Sequence, residues 1–313
     1  MRGPAHGFIM GRAIGVLASN QIVGALVEDS RLTGPLRLYP ETESPAYVLE
    51  GMPAETITQT ILRQIEFVRH NETIEAVGVA MPGIIRDGVI EESPNLPQTK
   101  GLRIQEALAA KLSSGGQPVE VQVFNDADAI AAGVAATQGH LASLIRVWNL
   151  GRGVGYGRYP WTNGIWEGGH SVVMLDPHER FCACEGRGHL EGIVGSRSMR
   201  LRFLDMEPEE IFAAAKSGDQ RCADFVVLLH RALAAATASS IAMEGPGKFF
   251  ITGPLAGFVE LGRLEIYLHE MVKMSPLQGS QLQVIATSYE TGIIGAAVNA
   301  QIAAQRSRAA GRA

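Results

Sequence analysis

The chain is poor in the residues that would tie it to a disulfide scaffold, a membrane or a nucleic acid. Three cysteines stand in 313 residues, too few for a disulfide framework, and Cys182 and Cys184 lie too close along the chain for a sound bridge. A Cys-x-Cys pair in a reducing compartment is more often a metal site. Charged residues make up 19% of the chain, and 27 basic against 32 acidic side chains leave a net charge of −5. That excludes a broad basic face of the kind that holds nucleic acid. No apolar run approaches the roughly 20 residues of a membrane span, since residues 225–229 are soon followed by His230 and Arg231. The N-terminus lacks the charged start, apolar stretch and cleavage site of a secretory signal, so a cytoplasmic protein without a membrane partner is expected.

What the chain does have is material for a large core. Apolar residues reach 46%, and the length suits two lobes or one large domain at about 100–200 residues per domain. Residues 13–29 read as two apolar strands around a small-residue turn. Ile57, Ile61, Ile65 and Val68 recur at helical spacing and predict a helix over 54–70. The apolar segment Ala76–Met81 predicts a buried strand ended by Pro82-Gly83, followed by a helix over 105–112 and a strand over 119–124. This alternation predicts an α/β architecture. Ile145–Leu150 is a further strand that runs into glycine-rich 151–157, and residues 158–198 read as irregular. Residues 223–242 form the longest candidate helix, and strand-like pieces follow at Lys248–Thr252 and 281–286. Strand patterns recur near 13–29 and 145–159, which predicts two related lobes around a cleft, residues 1–135 and 136–313.

Three groups of residues could carry chemistry. Asn125-Asp126-Ala127-Asp128 follows a strand, at the carboxyl edge where α/β proteins place ligands and where a carboxylate can take a proton from a hydroxyl. The same residues also read as an N-cap for the alanine-rich segment behind them. Gly151, Gly153, Gly155 and Gly157 alternate with Arg152, Val154 and Tyr156, a pattern that suits either an anion-binding turn or a plain hairpin packed against another backbone. The third group holds His170, Cys182, Cys184 and His189, two thiols and two imidazoles of the kind that close a tetrahedral zinc site. His178 competes for one ligand place.

Taken in order, these segments resemble the ROK family of sugar kinases and sugar-responsive repressors, from about residue 13 to about residue 300. The family's E-x-G-H motif is matched by Glu167-Gly168-Gly169-His170. Its C-x-C-G-x-x-G-C-x-E motif is matched over Cys182 to Glu191, with Glu185 in place of a glycine and His189 in place of the last cysteine. The resemblance implies a two-lobed fold of the actin and hexokinase (ribonuclease H-like) type, mixed sheets flanked by helices, with the last helix a candidate to pack back on the N-terminal lobe. It implies structural zinc on His170, Cys182, Cys184 and His189 within the 167–191 loop. Asp126 becomes the general base of a hexose or N-acetylhexosamine kinase, and Gly83, Asn95, Asn125, Glu167, His170 and Glu191 the sugar-side residues. Gly151, Arg152, Gly153 and Gly155 match a phosphate loop, and Gly253 the adenosine-side turn, for ATP with Mg²⁺. A homodimer is also implied.

Two departures bear on activity. Kinases of the family begin with a D-x-G-G-T hairpin that places phosphates and magnesium, and Val16-Leu17-Ala18-Ser19-Asn20 stands there instead. Arg152 replaces a threonine of the phosphate loop. A sugar-binding sensor that no longer uses ATP is therefore the alternative reading. With only about a dozen residues before the first strand, where the family's repressors carry a helix-turn-helix domain, such a sensor is expected to act through a protein partner, not nucleic acid.

Overall fold

The structure is a computed structural model that describes residues 11–42, 48–70, 72–113, 119–162 and 164–310. The chain runs through β1 (Arg12–Ala18), β2 (Ile22–Glu28), β3 (Arg31–Leu32), β4 (Arg37–Tyr39), α1 (Ala54–Arg69), β5 (Ala76–Met81), β6 (Ile84–Arg86) and β7 (Val89–Glu92). It continues through α2 (Ile104–Leu112), β8 (Glu120–Asn125), α3 (Asp126–Thr137), β9 (Ile145–Leu150), β10 (Val154–Tyr159), α4 (Glu191–Val194) and α5 (Ser196–Arg202). The remainder is α6 (Pro208–Lys216), α7 (Gln220–Glu244), β11 (Lys248–Thr252), α8 (Leu261–Met271), β12 (Gln281–Val284) and α9 (Tyr289–Ala310). Two compact units result. The first takes residues 1–145, 157–165 and 288–313, and the second 146–156 and 166–287.

In the first unit the main sheet has the order β3-β2-β1-β5-β8, with β4 also on β2. β1 is antiparallel to β2 and parallel to β5, which is parallel to β8. Strand side chains alternate between faces, so β1 sends Ile14, Val16 and Ala18 into one apolar cluster with Ile57, Ile61 and Ile65 of α1. Ala13 and Leu17 go to the other face, against Ile293, Ala296 and Ala297 of α9. Gly15 and Gly78 are register partners on β1 and β5. A Cβ on either would lie 1.9 Å from a carbonyl oxygen of α9, that of Ile293 or Ala296. Only glycine lets the helix backbone come that close, and this packing fastens the C-terminal helix to the sheet that opens the chain.

In the second unit the sheet order is β10-β9-β11-β12, with β11 and β12 parallel. Its core joins Trp148, Tyr156, Phe249 and Ile251 of the sheet to Phe225, Leu229, Leu233 and Ile241 of α7. The polar groups buried with them find partners on the same helix and its C-cap. Trp148 Nε1 donates to Thr237 Oγ1 at 3.1 Å, the Tyr156 hydroxyl meets Ser240 Oγ at 2.7 Å, and Arg146 donates to Ser240 O and Gly245 O. Asp219 caps α7 by accepting the Cys222 N–H at 2.8 Å. Among the described residues α7 alone is long and apolar enough to cross a membrane by length and composition, and most of it is buried in this core. Residues 158–198 are less irregular than their composition suggests, holding the end of β10, a Val172–His189 bridge, α4 and the start of α5.

Candidate functional site

Each unit presents one group of chemically equipped side chains. In the first unit β5 and β8 end side by side, with Met81 and Asn125 in register. Asn125 is the N-cap of α3: its Oδ1 accepts the Ala127 N–H at 2.9 Å while its Nδ2 donates to Gly83 O at 2.9 Å. The cap thus falls to Asn125, and Asp126 is the first helical residue. Its Oδ1 also accepts the Ala127 N–H, at 2.9 Å. Burial pushes the Asp126 carboxyl above the usual carboxylate range, against the two backbone N–H groups that favour its charged form. Asp128 has a structural partner, the N–H of Arg158 at 3.0 Å.

Gly83 holds a positive φ of 119°, and a Cβ there would lie 2.4 Å from Glu92 O. Next to it, buried Ser93 donates to Pro82 O at 2.9 Å and opens the turn to Leu96 in which Asn95 is exposed. The structure therefore brings Gly83, Asn125 and Asp126 together directly and sets Asn95 in the turn tied to them. Ser93 was not singled out by sequence, although a serine before Pro94 is a turn signal. At the β1–β2 turn, Val16 is fully buried, Ser19 N–H donates to Gln21 O at 3.2 Å, and buried Gln21 donates to Thr42 O at 2.9 Å. No carboxylate stands in residues 16–21.

In the second unit the four candidate ligands converge. One donor atom from each of His170, Cys182, Cys184 and His189 lies within 4.8 Å of the others. Sγ of Cys184 is 3.2 Å from Nδ1 of both His170 and His189, the two Nδ1 atoms are 3.3 Å apart, and the two sulfurs 3.4 Å. Edges of about 3.3–3.8 Å are what a tetrahedron of zinc–sulfur and zinc–nitrogen bonds has, so the donor set fits zinc. His178 is exposed and does not join the four. Burial pushes the Cys182 thiol up to about 12, and burial followed by the His170 charge lowers the His189 pKa. His170 aims Nδ1 at the cluster while its Nε2 stands 3.9 Å from Glu167 Oε2. Glycine is needed here: a Cβ on Gly186 would lie 2.1 Å from the His189 ring, and one on Gly188, at φ 67°, 1.8 Å from Met174 O. Glu179 and Arg202 form a buried ion pair that ties this segment to α5.

The glycine hairpin between β9 and β10 borders the cluster. Gly151 N–H donates to Gly153 O at 3.0 Å, and Val154 N–H donates to Glu191 Oε2 at 3.0 Å. Two amides expected to face phosphate are thus already paired. The carbonyls of Leu150, Gly151 and Arg152 accept from Leu255, Ser196 and Arg197 N–H. Gly253, at φ 97°, closes the neighbouring turn, where a Cβ would lie 2.4 Å from Leu150 O. Gly155 lies within β10. The start of α5 was not singled out by sequence, though Gly195-Ser196 is a helix-start signal.

With this geometry in view, the chain can be set beside known proteins. It is 28% identical over 244 residues to a glucokinase of Pyrobaculum calidifontis, covering 71% of this chain and 77% of that one. With a glucokinase of Thermotoga maritima it shares 27% over 277 residues, 78% of this chain and 84% of the other. The ROK hexokinase of Thermus thermophilus superposes with a TM-score of 0.75 at 21% identity, over 94% of this chain and 99% of that one. That likeness shows the mixed α/β, actin-like fold. A model of the ROK family matches residues 43–302, and the chain belongs to the ROK family.

Proposed function

We propose that the chain transfers the terminal phosphoryl group of ATP to a hydroxyl of a hexose or N-acetylhexosamine, with Asp126 as general base. The observation that carries this reading is the Asn125-Asp126 corner. Asn125 supplies the cap and the bond to Gly83, which leaves the Asp126 carboxylate, made more basic by burial, at the carboxyl end of a parallel strand. As the sugar oxygen attacks the γ-phosphorus and the bond to the ADP oxygen breaks, the hydroxyl proton passes to Asp126. Gly83, Asn95, Asn125, Glu167, His170 and Glu191 are the sugar-side groups in this reading. The 151–157 hairpin with Arg152, and the Gly253 turn, are its nucleotide side.

His170 Nδ1, Cys182, Cys184 and His189 Nδ1 would hold zinc, which supplies a closed four-coordinate tie for the 167–191 segment. Magnesium bound with nucleotide neutralises phosphate charge. The Val16 position does not fit it, because a buried strand valine offers no ligand. That one observation favours the second reading, a sugar-binding member of the family without phosphoryl transfer.

The test incubates the protein with MgATP and a panel of hexoses and N-acetylhexosamines, and follows ADP together with the phosphorylated sugar. Turnover with one sugar, reduced about 10²- to 10⁴-fold in Asp126→Asn, is the expected result. Sugar-dependent thermal stabilisation with no ADP from any sugar would select the second reading.

A further inference from the structure

Glu191 matches a family position on the sugar side, and its carboxylate also has partners within the protein. Oε2 accepts the Val154 N–H at 3.0 Å, and Oε1 is 3.5 Å from Cys182 Sγ. The room it occupies is made by Gly153, on which a Cβ would lie 2.4 Å from Oε2. The hairpin is therefore held from two sides. Its carbonyls are fixed by the amides of Leu255, Ser196 and Arg197, and its Val154 amide by Glu191. Glu191 in turn has little freedom: it follows the cluster residue His189 by two positions, and its own carbonyl accepts from Ser198 Oγ at 2.9 Å. Two thiolates and two neutral imidazoles on a zinc ion make a centre with no net charge, so a carboxylate beside it is not expelled when metal is bound.

We propose that Glu191 is a positioning residue for the phosphoryl donor: its carboxylate fixes the 151–154 hairpin and passes to it the order that the metal cluster gives the 182–191 segment. The donor half of this inference rests on the kinase reading above. The strut itself does not. Without the acceptor, the Val154 amide is released and the hairpin loses the orientation of its remaining N–H groups, so nucleotide affinity falls even in the absence of sugar.

The experiment compares metal-loaded wild type with Glu191→Ala, Glu191→Gln and Gly153→Ala. Hydrogen exchange is read on the peptide covering 150–157, and affinity for a non-hydrolysable ATP analogue is measured without sugar. Losing a hydrogen bond to a charged acceptor should speed Val154 exchange by about tenfold in Glu191→Ala and Gly153→Ala, and weaken the analogue by a similar factor. Glu191→Gln, whose amide oxygen still accepts, should stay near wild type in exchange. Metal content should remain at one equivalent throughout. Unchanged exchange in both Glu191→Ala and Gly153→Ala overturns the strut, and faster exchange with analogue affinity unaltered overturns the donor half. If the wild type binds no analogue but exchange responds as expected, the strut stands and the kinase reading falls.

Discussion

The β1–β2 hairpin of the first unit closes on itself. Ser19 bonds Gln21, the side chains of Val16 and Ala18 sink into the sheet's core, and Gln21 is spent on the carbonyl of Thr42. The β9–β10 hairpin of the second unit is held from outside, by Ser196, Arg197, Leu255 and Glu191. The contrast follows from side-chain size. Valine, leucine and alanine make a strand end that stabilises itself by burial, whereas glycines contribute no burial and cost conformational entropy, so their hairpin needs partners. One hairpin has become core, and the other has remained a loop whose shape other residues set. The candidate chemistry of the first unit lies at the β8–α3 corner, where Asn125 does the capping and Asp126 is the proposed base.

The largest effect expected from breaking this contrast lies at the candidate metal cluster, whose four donors converge from both ends of the 170–191 segment. Cys182→Ser with Cys184→Ser should abolish metal binding and cost the second unit at least about 3 kcal/mol. Metal analysis and denaturant unfolding check it, with limited proteolysis expected to cut first within 170–191. A double variant as stable as wild type would show that the segment holds itself. Next comes Val16→Asp, which returns to the first hairpin the acid that the family's kinases carry. Val16 is fully buried, so the charge should destabilise by about 3–5 kcal/mol without restoring a working phosphate site. Undiminished stability would mean that the hairpin end faces solvent and that its chemistry is recoverable.

These two predictions also mark what could be read in the sequence. The convergence of His170, Cys182, Cys184 and His189 was legible because the four fall within about twenty positions and a thiol pair has few other uses. The strands Ala76–Met81, Ile145–Leu150 and Lys248–Thr252 were legible because continuous apolar runs between turn signals are short and bounded. The sequence left Asp126 open between cap and base, since both uses call for the same residue type in the same place. The Asn125–Ala127 bond makes Asn125 the N-cap, and the base role of Asp126 stays a proposal. Contacts between distant segments left no local trace. Gly15 and Gly78 are small because α9 lies on them, and nothing near either residue announces a helix from the far end of the chain. The bond from Val154 to Glu191 likewise joins segments 37 positions apart, and nothing near either residue announces it.

A smaller effect separates the units by pH. His230 is buried in α7, with Nδ1 against Val226 O at 2.7 Å and Nε2 accepting the Glu260 N–H at 2.8 Å. Burial lowers its pKa; the Val226 carbonyl and Glu260 oppose the shift and Arg263 adds to it. The folded state keeps it neutral, so its contribution is complete above the unfolded value of about 6.5 and is lost as pH falls below it. Asp126 has the opposite slope. Burial raises its folded pKa above 3.8, so stability falls as pH rises from there through the folded value. Denaturant unfolding across pH should show His230→Gln losing part of the acid drop below about pH 6.5. Asp126→Asn should be more stable than wild type at neutral pH and converge with it below 3.8. Equal stability at neutral pH would mean that the carboxylate is well solvated, which would weaken its case as a base.

The smallest effect concerns a single backbone angle in the metal segment. Glu185 stands where the family has glycine, and it holds φ at 63°, in the left-handed region where a Cβ crowds the following carbonyl. Its neighbours Gly186 and Gly188 cannot be exchanged for larger residues, because the His189 ring and Met174 O occupy the space. Position 185 is the one place in this stretch where the strain can be removed without touching a ligand. Glu185→Gly should therefore stabilise, by about 0.5–1 kcal/mol once glycine's extra freedom in the unfolded chain is set against the relieved strain. Thermal unfolding of the metal-loaded protein measures it. A loss of stability instead would show that the Glu185 side chain contributes more to the loop than its backbone costs.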